Sequence, residues 1–130
     1  MTLPPYALVL GLRIESDTDA DGPPVLVMPF SEDVLGRPGF VHGGALGGLL
    51  EMAAIAALQQ ALAEEGGGRI KPINVTVDFM RGGREKETRA VGIVTRLGTR
   101  VANVEAVAWQ DDRIKPIASA RMNYLIVRPG

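Results

Sequence analysis

Residues 73–80, "INVTVDFM", alternate strictly. Ile73, Val75, Val77 and Phe79 fall on one side, and Asn74, Thr76 and Asp78 on the other. A period of two predicts a half-buried β-strand. Segments 87–97, 100–110 and 114–127 are further strand candidates. Gly98-Thr99 separates the first pair and Asp111-Asp112-Arg113 the second, which predicts a three-stranded antiparallel meander. Upstream, 6–16 and 25–30 are apolar enough for two strands, joined by the turn-forming "DTDADGPP" of 17–24 into a hairpin. Residues 31–40 carry Gly36, Pro38 and Gly39 and read as a loop.

Between hairpin and meander lies a different pattern. Residues 43–63 are apolar and rich in Ala and Leu, which favour helix, and Gly66–Gly68 stop them. Such a helix spans ~30 Å. No Ser, Thr, Asp or Asn immediately precedes it, so it is expected to start without a side-chain cap. Glu64 and Glu65 stand at its C-terminal end, where the helix dipole disfavours acids. The order predicts an α+β fold in one domain over 1–130, with one long central helix against an antiparallel sheet. The helix is apolar almost all round. One sheet covers one side, so the other is expected to meet a partner chain in a homodimer.

One charge interrupts that run, Glu51 in "HGGALGGLLEMAAIAAL" (42–58). Burying a lone carboxylate costs several kcal/mol unless something compensates it. At ~100° per residue, Gly44, Gly47 and Gly48 share its helix face. Each glycine costs a helix ~1 kcal/mol relative to alanine. Two readings explain them: space for a ligand beside the carboxylate, or close packing of another backbone. At the helix start, the N–H groups of Gly43, Gly44 and Ala45 are free either to meet water or to face a carbonyl or oxyanion. A carboxylate facing an oxyanion hole suits acyl transfer to water, as nucleophile or as base.

Composition removes other classes. With 14 Lys and Arg against 15 Asp and Glu, nothing in the net charge favours nucleic acid or an acidic membrane. The absence of cysteine excludes thiol nucleophiles and Cys-ligated zinc, and a single histidine argues against a His-rich metal site. No cofactor is expected. The serines, Ser16, Ser31 and Ser119, sit in no nucleophile elbow. The N-terminus has no basic n-region, so no signal peptide is expected, and the default compartment is the cytoplasm. A membrane span at 43–62 is disfavoured by its central Glu51 and four glycines.

"HGGALGGLLE", then "INVTVDFMRGG" and "VTRLGTRVANVEA", resembles the hotdog-fold acyl-CoA thioesterases of the phenylacetate-degradation type and the related 4-hydroxybenzoyl-CoA thioesterases. The resemblance runs from about residue 24 to 127. It implies a hotdog fold, with the long helix wrapped by the antiparallel sheet, and dimers that often pair into tetramers. It implies an acyl-CoA substrate, Glu51 as the catalytic acid nine positions after His42, and Gly43 as the backbone donor to the thioester carbonyl. Gly43 and Glu51 would then come from opposite subunits. His42 would orient the loop-to-helix turn. Gly44, Gly47 and Gly48 would border the substrate, and Arg81, Arg96 and Arg100, with Arg84, would approach the CoA phosphates. The alternative for each arginine is a solvated rim.

The chain departs from its relatives in three places. Gly36 stands where many carry Asn, Arg81-Gly82 replaces the usual Arg-Pro, and glutamate replaces the commoner aspartate. Two alternative functions remain at this level: a non-catalytic acyl-CoA-binding module, and a hotdog 3-hydroxyacyl dehydratase or hydratase. The direct His42-Gly43-Gly44 sequence argues against the latter.

Overall fold

A computed structural model describes residues 3–15 and 22–129. The chain runs α1 (Tyr6–Val9), β1 (Arg13–Glu15), β2 (Val25–Met28), a single 3-10 turn (Glu32–Val34), α2 (Gly43–Ala63), β3 (Arg69–Phe79), β4 (Thr88–Leu97), β5 (Val101–Trp109) and β6 (Ala118–Val127). All six strands form one antiparallel sheet in the order β1-β2-β4-β5-β6-β3. The expected architecture, one long helix against an antiparallel sheet, is what the chain adopts. The meander of β4, β5 and β6 is also as expected.

Several boundaries move. Segment 6–16 is not one strand: Tyr6–Val9 is a turn of helix, and Gly11, at φ 69°, reverses the chain before a three-residue β1. Pro4 and Pro5 pre-set a helical start, while Leu8 and Val9 stay exposed. The hairpin survives as β1 paired with β2, but residues 17–21 of its turn lie outside the described residues. Strand β3 begins at Arg69 rather than Ile73 and includes Pro72, which an edge strand tolerates because its outer N–H row has no partner. β6 begins at Ala118, four residues later than its apolar run suggested, after Pro116.

Helix and sheet meet through small side chains. Ala53 and Ala54 of α2 face Ala90, Ala106 and Ala120, all buried, and the helix axis lies close to β4. Gly92 marks the nearest approach. A Cβ there would collide with the Ala53 carbonyl oxygen and stand 2.8 Å from the Ala54 Cα. Both are backbone atoms and cannot swing aside. Gly92→Ala is therefore expected to cost ~1–3 kcal/mol, the range for overpacking a core, as a lower urea midpoint at unchanged slope. An unchanged midpoint would show that helix and sheet separate easily.

The second face of α2 is covered within the chain. Tyr6 and Leu10 of the N-terminal segment lie on it, over Gly48. The helix is long and apolar enough to cross a membrane by length and composition, yet most of it is buried inside this fold. What stays open is β3. Its alternation is as expected, since Val75, Val77 and Phe79 pair with the inward-facing Met122, Ala120 and Ala118. The helix touches β3 only near Val77 and Phe79 and does not cover it, so Ile73 (55%), Val75 (49%) and Phe79 (58%) remain exposed on a sheet edge. Most of the helix surface expected to be left uncovered is thus buried within the chain. The unsatisfied apolar surface belongs to β3. Trp109 is buried instead on the outer face of the sheet, beside Val25, Val91 and Val107.

Candidate active site

His42 is the N-cap of α2. Its extended backbone (φ −63°, ψ 135°) points the ring back over the first turn, and Nδ1 accepts the Gly44 N–H at 2.8 Å. The expectation of an uncapped start is therefore wrong. The capping rule looks for hydroxyls, amides and carboxylates, and here an imidazole supplies the acceptor. The cap divides the three N–H groups expected to be available. Gly44 is engaged by the ring, whereas the Gly43 N–H donates to no acceptor among the described residues. The Phe79 ring lies on Gly43, with its Cζ 3.3 Å from where a Cβ would stand.

A cavity of about 580 Å³ opens at this end of the helix. His42, Gly43 and Leu46 form its base, and Phe40, Phe79 and Arg81 its walls. Arg37 lines it as well and stacks on the Phe40 ring at 4.1 Å, with Arg84 on the same ring at 4.5 Å. The Arg81 guanidinium donates to the Pro116 carbonyl at 2.7 Å, which fixes its stem at the rim. Arg37 had no sequence signal, because a single arginine in a glycine-proline loop is unremarkable until Phe40 gathers two guanidiniums.

Two of the three departures from the relatives have steric reasons. A side chain at Gly36 would meet the His42 Cα at 3.0 Å, so an asparagine there requires the loop to shift. A Cβ at Gly82 would stand 2.5 Å from Phe40 Cε1, so Phe40 occupies room a proline would need.

Glu51 lies elsewhere. It is half-buried in a second cavity of about 710 Å³, walled by Met52, Ile55, Ile70, Pro72 and Tyr124, with Gln59 beyond and Pro4 and Tyr6 at the N-terminal side. No cation pairs with its carboxylate among the described residues. The opposite surface acid, Glu65, is explained by its ion pair with Arg128 at 2.7 Å, which offsets its unfavourable place at the helix end. Burial holds the Tyr124 phenol well above its ordinary range, and the Glu51 charge adds to that shift. Its hydroxyl donates to the Met122 thioether at 3.4 Å. Tyr124 was invisible as a site residue in sequence, since it reads as one more apolar strand position.

The three candidate glycines differ. Gly44 packs against the His42 ring, with a Cβ position 2.9 Å from Nδ1. Gly47 has only Val77 nearby, at 4.0 Å. Gly48 leaves no open space: Tyr6 Cε2 stands 2.7 Å from its Cβ position. At Gly48 the close-packing reading holds and the open-space reading does not. Arg96 and Arg100 line a third cavity of about 400 Å³ at the β4–β5 hairpin. Val101 there pairs with Leu125, whereas Phe79, next to Arg81, pairs with Ala118 at the other end of β6. Within one chain the three arginines do not converge. No three His, Asp or Glu side chains gather for a metal among the described residues.

One long central helix packed against a six-stranded antiparallel sheet is the hotdog architecture. The model of the thioesterase superfamily matches residues 38–117, and the chain belongs to that superfamily. Among solved structures it is similar to a protein from Chromobacterium violaceum at 32% identity, with a TM-score of 0.75 over 97% of this chain and 85% of that one. It is also similar to a phenylacetic acid degradation-related protein from Ralstonia eutropha JMP134 at 26% identity, TM-score 0.76, covering 96% and 92%. A Haemophilus influenzae thioesterase, at 18% identity, shares the fold with a TM-score of 0.80 over 95% and 82%. No curated protein matches the chain.

Proposed function

We propose that the protein is an acyl-CoA thioesterase whose site is shared between two chains, Gly43 from one and Glu51 from the other. The observation that carries this reading is the separation of the two groups. They occupy different cavities on one helix. Eight residues of α-helix place them roughly 12 Å apart along the axis, too far to act on one carbonyl. A two-fold axis resolves this, because it sets the Gly43 end of one chain against the Glu51 region of its partner. The long apolar edge of β3 supports such an axis, since an edge of this kind is a liability unless paired. Phe79 links that edge directly to Gly43.

In the reaction, the Gly43 N–H receives the thioester oxygen as negative charge develops on it. Glu51 either attacks the carbonyl carbon, expelling CoA thiolate and leaving an anhydride for water to cleave, or takes a proton from the attacking water. The products are a free acid and CoA. Arg37 and Arg81 line the Gly43 cavity and Arg84 stacks on its Phe40 wall, a set of cations suited to the CoA phosphates. A cytoplasmic location fits this substrate.

Release of thiol from a panel of acyl-CoAs tests the activity, beside an enoyl-CoA hydration assay. Hydrolysis of no member would overturn it, and binding without cleavage would make the protein an acyl-CoA-binding module. Within that assay, Arg37→Ala and Arg84→Ala are expected to raise KM with little change in kcat, because they remove binding shared by ground and transition states. The wild-type KM should rise with salt, which screens such contacts, and less steeply in the variants. Unchanged KM in both would return these arginines to the solvated rim.

A further inference from the structure

Tyr6 stands on the floor that Gly48 provides. Its Cε2 is 2.7 Å and Leu10 Cδ1 3.1 Å from the Gly48 Cβ position, so any larger residue at 48 would displace the ring. Gly48 lies three residues before Glu51 on the same helix face, so the ring is held one turn away from the carboxylate. The ring is not consumed by packing. Tyr6 is 46% exposed and forms a wall of the Glu51 cavity. Buried Ala7 and Leu10 anchor the short helix that carries it, and N–H bonds from Ala7 to Pro4 and from Leu8 to Pro5 hold its start. Beside Tyr6 the wall is carbon, from Met52, Ile55, Ile70, Pro72 and Tyr124, while Gln59 and Arg69 supply the other polar groups of the lining. The carbon wall suits the acyl end of a CoA thioester.

We propose that Tyr6 is a specificity-determining residue, the wall that limits the length and bulk of an apolar acyl group beside Glu51. This rests on the thioesterase reading above. The ring acts by volume, so its hydroxyl is not required. In a hydrophobic pocket, room for one methylene changes discrimination by ~10-fold or more.

The experiment compares kcat/KM for saturated straight-chain acyl-CoAs, from butanoyl to myristoyl, in wild type, Tyr6→Ala, Tyr6→Phe and Tyr6→Trp. Tyr6→Ala is expected to shift the ratio of long-chain to short-chain kcat/KM upward by ~10-fold, and Tyr6→Trp to shift it downward. Tyr6→Phe should keep the wild-type order of preference. A merely structural role would scale all substrates together and leave the ratio fixed. Parallel profiles in Ala and Trp variants overturn the proposal. Should Tyr6→Ala fail to fold, the downward shift in Tyr6→Trp decides alone. Calorimetric titration with non-hydrolysable thioether analogues of the same acyl series reads the same selectivity without turnover. Failure of the thioesterase reading, seen as no hydrolysis by wild type, is thereby distinguished from failure of the Tyr6 assignment, seen as unaltered analogue selectivity.

Discussion

Glu51→Gln is expected to lower acyl-CoA hydrolysis by at least ~10²-fold, the loss that follows when a positioned acid–base group is removed. The substitution keeps the shape of the side chain and deletes its charge. Glu51 has no cation partner among the described residues, so no ion pair is broken and no opposite charge is left buried. The thermal midpoint is therefore expected to stay level or rise, as it does when an uncompensated half-buried charge is neutralised. Glu51→Asp is expected to retain part of the activity, because the same group is held on a shorter arm. Thiol-release kinetics and a thermal melt of each variant check both halves. Wild-type turnover by the glutamine variant would sink the catalytic role, and loss of folding would mark Glu51 as a structural residue.

Gly43→Pro tests the other half of the site. Proline has no N–H, and it is the residue best tolerated at the first position of a helix. Gly43 occupies that position, and His42 before it already has the extended backbone that a following proline demands. The exposed Phe79 ring has room to yield to the added carbons. The substitution thus deletes one hydrogen-bond donor and little else. Losing an oxyanion donor costs ~10²–10³ in kcat. The decisive result comes from mixing. In a heterodimer of the Glu51→Gln and Gly43→Pro chains, one shared site unites an intact Gly43 with an intact Glu51, and the other carries both lesions. After co-refolding of equal amounts, random pairing through an isologous interface restores about one quarter of wild-type activity. No recovery would show that each chain works alone. Sedimentation equilibrium shows only a 13.8 kDa species if the dimer itself is wrong.

The sequence by itself determined the elements whose physics is local. Unbroken Ala- and Leu-rich residues over 43–63 make a helix in almost any setting, and glycines 66 and 67, both at positive φ, end it where expected. Alternation in 73–80 marked the two faces of β3, and the turn after 97 with the connection after 109 produced the meander. Glu51 was legible because a charge in an apolar helix stands out against its neighbours. Tertiary structure decided what depends on which surfaces meet. β3 pairs with β6 rather than with its sequence neighbour β4, a choice of partner that no local pattern encodes. That choice leaves most of β3 uncovered by the helix and moves the open apolar surface there. The N-terminal run, apolar enough for a strand, becomes a helical turn because Gly48 offers a seat for Tyr6, forty-two residues away in the chain. His42 became a cap, Phe40 gathered Arg37 and Arg84, and Gly92 admitted the helix backbone only once the chain had closed on itself. Each of these is a contact between residues distant in sequence or a matter of side-chain direction, and periodicity along one segment carries information about neither.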